Sequence, residues 1–170
     1  MQLWGGTNNF VLLAIPLFVL LGELLVRGGA TDRIYRALSD WLAPLPDGLL
    51  HTNIGACALF AAVSGSSVAT AATIGTVALP AFSDRKYDTK MVLGSIAAGA
   101  TLGILIPPSI NLIIYGAMTN TSVGRLYAAG VVPGLMLTAL FMLVIVVACW
   151  INPALAADRP AHQLVIELLE

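Results

Sequence analysis

Two long stretches of this chain lack any acidic or basic residue, and each is interrupted near its middle by residues that break a helix. Leu49 to Ser83 contains no Asp, Glu, Lys or Arg, yet its centre reads Ser64-Gly65-Ser66-Ser67. Met91 to Gly124 is also free of charge, and from Gly103 to Ser109 it reads Gly-Ile-Leu-Ile-Pro-Pro-Ser. In hydrocarbon an unsatisfied backbone amide or carbonyl costs several kcal/mol. Irregular backbone therefore persists at that depth only where it is buried in protein or lines a cavity.

The composition places these stretches in a membrane. With 58% hydrophobic and 10% charged residues among 170, and a mean hydropathy of +0.90, the chain lies outside the soluble class, where about a quarter of residues are charged. The net charge of −1 is uninformative about nucleic acid, and no basic run or aromatic-interleaved patch points to it, so no nucleic-acid partner is expected. Cys57 and Cys149 sit in apolar stretches without CxxC or His-rich spacing and read as small packing residues. The N-terminal apolar run lacks a basic leader and a small-residue cleavage site, so it reads as a retained helix.

The expected fold is an all-α integral membrane domain over residues 1–152, followed by a polar tail at 153–170 with no assignable role. Residues 10–26 form the first span, with Pro16 as a kink; Glu23 and Arg27 read as a snorkelling i,i+4 pair at its end. After Gly28-Gly29, residues 31–42 form an amphipathic interfacial helix with Thr31 or Asp32 as N-cap. Its apolar side carries Ile34, Tyr35, Leu38, Trp41 and Leu42. Residues 91–118 form a proline-broken span and 126–151 the last span.

The stretch at 49–82 needs a different geometry. As one helix it would be roughly 50 Å long against a hydrocarbon core of about 30 Å, yet two full crossings would each need about 20 residues. Two half-length limbs, 51–63 and 68–80, meeting at Ser64 to Ser67, make a re-entrant hairpin. Arg27, Arg33 and Arg36 precede it, and Arg85, Lys86 and Lys90 follow. A hairpin puts all of them on the cytoplasmic face, whereas a single crossing would erase the positive-inside bias.

Paired breaks of this kind are the architecture of secondary transporters, whose discontinuous helices hold ions and substrates near the midplane. Pro107 and Pro108 strip donors from carbonyls around Gly103 to Ile106. Hard cations take such oxygens as ligands. The candidate ion and substrate residues are Ser64, Gly65, Ser66 and Ser67 at the tip and Thr101, Gly103, Ile106, Pro107, Pro108, Ser109 and Asn111 along the broken helix. Ser64, Ser66, Gly103 and Pro107 are the candidates for Na⁺, the coupling ion; no other cofactor is expected. The second limb begins near Ser66, so its N-terminal amides favour an anion such as a carboxylate. The Gly99/Gly103 and Gly130/Gly134 pairs read as close-packing positions. An intramembrane serine protease is disfavoured, because neither His51 nor His162 lies in a later span to serve as base. A simple channel fits the paired breaks less well than alternating access.

At these residues the chain resembles the DctM-like large membrane subunit of tripartite ATP-independent periplasmic (TRAP) transporters. The resemblance is carried by Leu13 to Phe18 with Gly22, Phe60 to Gly75, Thr101 to Gly116 and Ala129 to Leu135, in the family's order over about residues 8–150. It implies a sodium-driven importer of organic acids such as C4-dicarboxylates or sialic-acid-like carboxylates, multi-pass in the bacterial inner membrane. It also implies a small membrane subunit, a periplasmic binding protein that delivers substrate, and an elevator built as an inverted repeat. Ser64 to Ser67 match the first hairpin tip and Gly103 to Asn111 the first broken helix. Thr70 departs from the family, which commonly has Asp near that position. Neither motif recurs, so the chain reads as the first-half core of a permease whose second half is elsewhere. The alternative is a non-transporting remnant or assembly element.

Overall fold

The computed structural model describes residues 10–45, 47–83 and 87–152, with side chains from residue 14 onward. Arg85, Lys86 and the tail at 153–170 lie outside them. Among the described residues seven helices follow one another: α1 Phe10–Arg27, α2 Ala30–Leu42, α3 Gly48–Ser64, α4 Ser67–Ser83, α5 Thr89–Leu105, α6 Ile110–Thr119 and α7 Val123–Ile151. Among the described residues there is no strand.

Glycine turns the chain between α1 and α2. Gly29 sits at φ 69°, in the left-handed region that costs an L side chain about 1–2 kcal/mol, and the two helix axes meet at 67°. The expected cap is corrected here. Gly29 occupies the N-cap position without a side-chain hydrogen bond, while Thr31 is buried within the first turn. Glu23 and Arg27 form the expected exposed pair at 2.7 Å.

α3 is the centre of the molecule, with every residue from Leu49 to Cys57 buried. Three of these are polar, His51, Thr52 and Asn53, and Asn53 explains how one such group is kept there. Its Oδ1 accepts from the Tyr35 hydroxyl of α2 at 2.8 Å, and its Nδ2 donates to Ser95 Oγ of α5 at 2.8 Å. Ser95 in turn donates to Val92 O. A buried amide left unpartnered costs about 1–3 kcal/mol, so this chain of bonds both satisfies Asn53 and ties three helices together.

The direction of the helices follows from who meets whom. Asn53 meets Ser95, Gly99 lies against Cys57, and Gly103 lies against Ser66. The pairs advance together, so α3 and α5 run side by side in the same direction. α4 must therefore return from the far end of α3 to the near end of α5. Its buried stripe, Thr70, Ile74, Ala78 and Phe82, has the four-residue repeat of one helix face, and Phe82 meets Tyr87 edge-on at 4.9 Å. The two limbs of the expected hairpin are thus helices a few residues longer than expected, folded back on each other.

α5 and α6 together (Thr89–Thr119), and α7 alone, are long and apolar enough to cross a membrane. α7 is buried only at Gly130, Gly134, Ile145 and Cys149, leaving Val132, Leu135, Met136 and Leu143 exposed. An apolar surface of that extent suits lipid or further protein rather than water.

Candidate functional site

The hairpin tip and the proline break lie against each other. Ile110 N–H at the start of α6 donates to Gly65 O at 3.3 Å. A Cβ added to Gly65 would stand 2.8 Å from Pro108 O, and Gly65 also has φ 59°. A Cβ on Gly103 would stand 2.8 Å from the carbonyl carbon of Ser66 and 2.9 Å from Ser67 N. Both glycines are required by the contact, and Gly65 by its backbone conformation as well.

The tip is closed mainly by side chains. Gly65 N–H returns to Ala61 O at 2.9 Å and ends α3. The fully buried Thr70 donates its hydroxyl to Ser66 O at 2.7 Å and lies 3.1 Å from Ser64 Oγ. Ser66 caps α4: its Oγ accepts from Ala69 N–H at 3.4 Å. The free amides and positive dipole end of α4 thus begin at the contact between the two breaks.

The break exposes backbone instead. Ile106 N–H makes the last bond of α5, to Leu102 O at 2.8 Å, and Ile106 and Ser109 are extended. Gly103 O and Ile104 O would take their helical hydrogen bonds from residues 107 and 108, which are prolines and have no N–H. Ser109, wholly buried, replaces one donor: its hydroxyl bonds to Ile104 O at 2.6 Å. Ser109 O accepts from Ile113 N–H at 3.2 Å and from the Tyr127 hydroxyl of α7 at 3.4 Å. α7 covers the break through glycines, for a Cβ at Gly130 would approach Leu105 O to 3.0 Å and one at Gly134 would overlap Ile106 Cγ1 at 2.8 Å.

Ser64, Gly65, Gly103 and Ser109 are thus gathered and buried, with Ser66, Ser67, Ile106, Pro107 and Pro108 half-buried around them. Thr101 and Asn111 are not drawn in. Both are exposed, and the Thr101 hydroxyl bonds to Ala98 O of its own helix. The expected packing glycines make close contacts: Gly103, Gly130 and Gly134 pack on the breaks themselves, and Gly99 on Cys57 within α3. The Thr70 hydroxyl, which lies one turn beyond Ser66 and is readable in the sequence as a tip hydroxyl, takes part in the tip, whereas no local pattern points from Tyr127 to Ser109. Among the described residues no group of three or more His, Cys, Asp or Glu is placed to hold a metal ion. Oxygen from hydroxyls and freed carbonyls, beside a helix N-terminus, is what this site offers.

Comparison with known proteins agrees with this architecture. Residues 1–166 match the family described as the tripartite ATP-independent periplasmic transporter, DctM component. The chain is 42% identical over 135 residues to the sialic acid TRAP transporter large permease protein SiaM of Vibrio cholerae, covering 79% of this chain and 32% of that protein. It is 39% identical over 158 residues to the C4-dicarboxylate TRAP transporter large permease protein DctM of Pseudomonas aeruginosa, covering 93% and 37%. The ectoine TRAP transporter large permease protein TeaC of Halomonas elongata is 34% identical over 146 residues, covering 86% and 34%. The chain spans about a third of the length of these curated relatives. These matches are to transporter permeases and not to an enzyme family. With helices able to cross a bilayer, the chain is an all-α protein of the bacterial inner membrane, and it belongs to the DctM family of TRAP transporter large permeases.

Proposed function

We propose that this chain supplies the hairpin-and-broken-helix core of a sodium-coupled importer of organic acids. The observation that carries the reading is the direct apposition of the two breaks, through Ile110 N–H to Gly65 O and the close approach of Gly103 to Ser66. Sodium takes oxygen ligands. Gly103 O, deprived of its donor, with Pro107 O and the hydroxyls of Ser64 and Ser66, forms the ligand set. The amides at the start of α4 attract the carboxylate of the substrate, so the ion and the anion stabilise each other across one contact. C4-dicarboxylates and sialic-acid-like carboxylates are the substrate classes that fit. A periplasmic binding protein delivers them, and a small membrane subunit and the complementary half of the large subunit complete the carrier.

Uptake of a labelled organic acid into vesicles holding this chain, its complementary half, the small subunit and the binding protein is expected to require a sodium gradient. Equal uptake without that gradient removes sodium from the proposal. In the membrane the α3–α4 hairpin enters and leaves by the cytoplasmic face. Cysteines at Ser39 and Ser83, in a background lacking Cys57 and Cys149, are therefore expected to label from the same side. Labelling from opposite sides would make this segment a crossing.

A further inference from the structure

We propose that the groove between α2 and α4 binds the headgroup of a zwitterionic aminophospholipid, an inference that rests on α2 lying at the membrane surface. The groove encloses about 330 Å³ and is walled by Asp32, Arg36 and Ser39 of α2 and by Thr76, Val77 and Pro80 of α4. The opposite flank of α2 is a smaller, almost wholly apolar groove edged by Trp41, whose side chain is 85% exposed. Tryptophan so placed belongs at the boundary between headgroups and acyl chains.

The charge in the first groove selects the headgroup. Glu23 and Arg27 of α1 stand at i,i+4 and pair at 2.7 Å. Asp32 and Arg36 have the same spacing, yet Arg27–Glu23 is the only ion pair among the described residues. One carboxylate and one guanidinium thus face the groove unpaired, separated by about 6 Å of helix rise. α4 brings no charge, for Ser67 to Ser83 contains none. A headgroup with an ammonium and a phosphate diester joined by a two-carbon linker matches that pair: the guanidinium donates to phosphate oxygens, with Ser39 beside it, and the carboxylate accepts from the ammonium. A purely anionic headgroup would meet Asp32 uncompensated. Val77, Pro80 and Ala81 offer the acyl chains an apolar wall, which a free phosphate ester would not use.

Native mass spectrometry of the chain in detergent tests this with added phosphatidylethanolamine, phosphatidylglycerol and the acyl-free glycerophosphoethanolamine. The wild type is expected to retain phosphatidylethanolamine over the other two. Arg36→Gln is expected to weaken that retention roughly tenfold, as for loss of a charge-assisted hydrogen bond. Asp32→Asn is expected to abolish the preference over phosphatidylglycerol. Arg33→Gln, an exposed change outside the groove, is expected to leave retention unaltered and reports on the fold. Equal retention of both lipids by the wild type would overturn the proposal, as would retention indifferent to Arg36→Gln and Asp32→Asn, or acyl-free binding as strong as that of the lipid. The readout involves no transport, so its failure leaves the sodium reading standing, and a failure of sodium coupling leaves the lipid site standing.

Discussion

The two breaks solve the same problem by opposite means. At the tip, one glycine reverses the chain and neighbouring hydroxyls brace the turn: the Thr70 hydroxyl joins its own N–H on Ser66 O, and Ser66 caps α4. At the second break two prolines remove donors, and Ser109 restores only one of them. Single prolines do not have this effect. α1 runs through Pro16, α4 through Pro80 and α7 through Pro133 as continuous helices. The tip keeps every backbone N–H, whereas the proline pair deletes two of them outright, so the proline side should dominate ion binding.

The largest expected effect is therefore that of replacing both Pro107 and Pro108 with Ala. A helix that regains its ladder withdraws several carbonyls at once, and sodium activation of uptake in the complete transporter should be lost. Unchanged sodium dependence would reduce the break to a packing kink. Gly65→Ala should come next, because strain of about 1–2 kcal/mol at a positive φ adds to overlap with Pro108 O. Thermal unfolding in detergent should shift down and sodium affinity should fall as the breaks separate; a wild-type melting curve would show the tip to be adaptable. Ser66→Ala should do least. It removes a cap worth about 0.5–2 kcal/mol, and loss of one ligating or hydrogen-bonding oxygen, about 1–3 kcal/mol, bounds the fall in sodium affinity at roughly 5- to 150-fold. A Ser66→Ala transporter more impaired than the double-proline variant would reverse the comparison.

Both breaks were legible in the sequence because each violates an otherwise uniform apolar pattern, and helix limits were legible at Gly28-Gly29, Gly65 and Pro107-Pro108, whereas α4 runs three residues past the limit expected at Pro80. Which polar residues share a site was less so. Thr101 and Gly103 are two positions apart, hence about 200° apart around a helix, and only Gly103 turns toward the tip. Asn53 lies in an apolar limb with partners 18 residues before it and 42 after it, a pairing that no local window contains. The N-cap expected at Thr31 or Asp32 followed side-chain preference, but the Gly28-Gly29 turn already orients the helix start, leaving no role for a hydroxyl.

Asn53 and Ser95 also act as a common origin for two measured lengths. Ser64, the last residue of α3, is eleven positions beyond Asn53, and Leu105, the last residue of α5, is ten beyond Ser95. Two parallel helices bolted at one level and matched to within one residue in length bring their ends close together. An extra residue inserted in either arm would raise its end by about 1.5 Å and swing it through about 100°. The spacing of the two breaks is therefore written in helix length, and a single-codon insertion far from either break is enough to put them out of step.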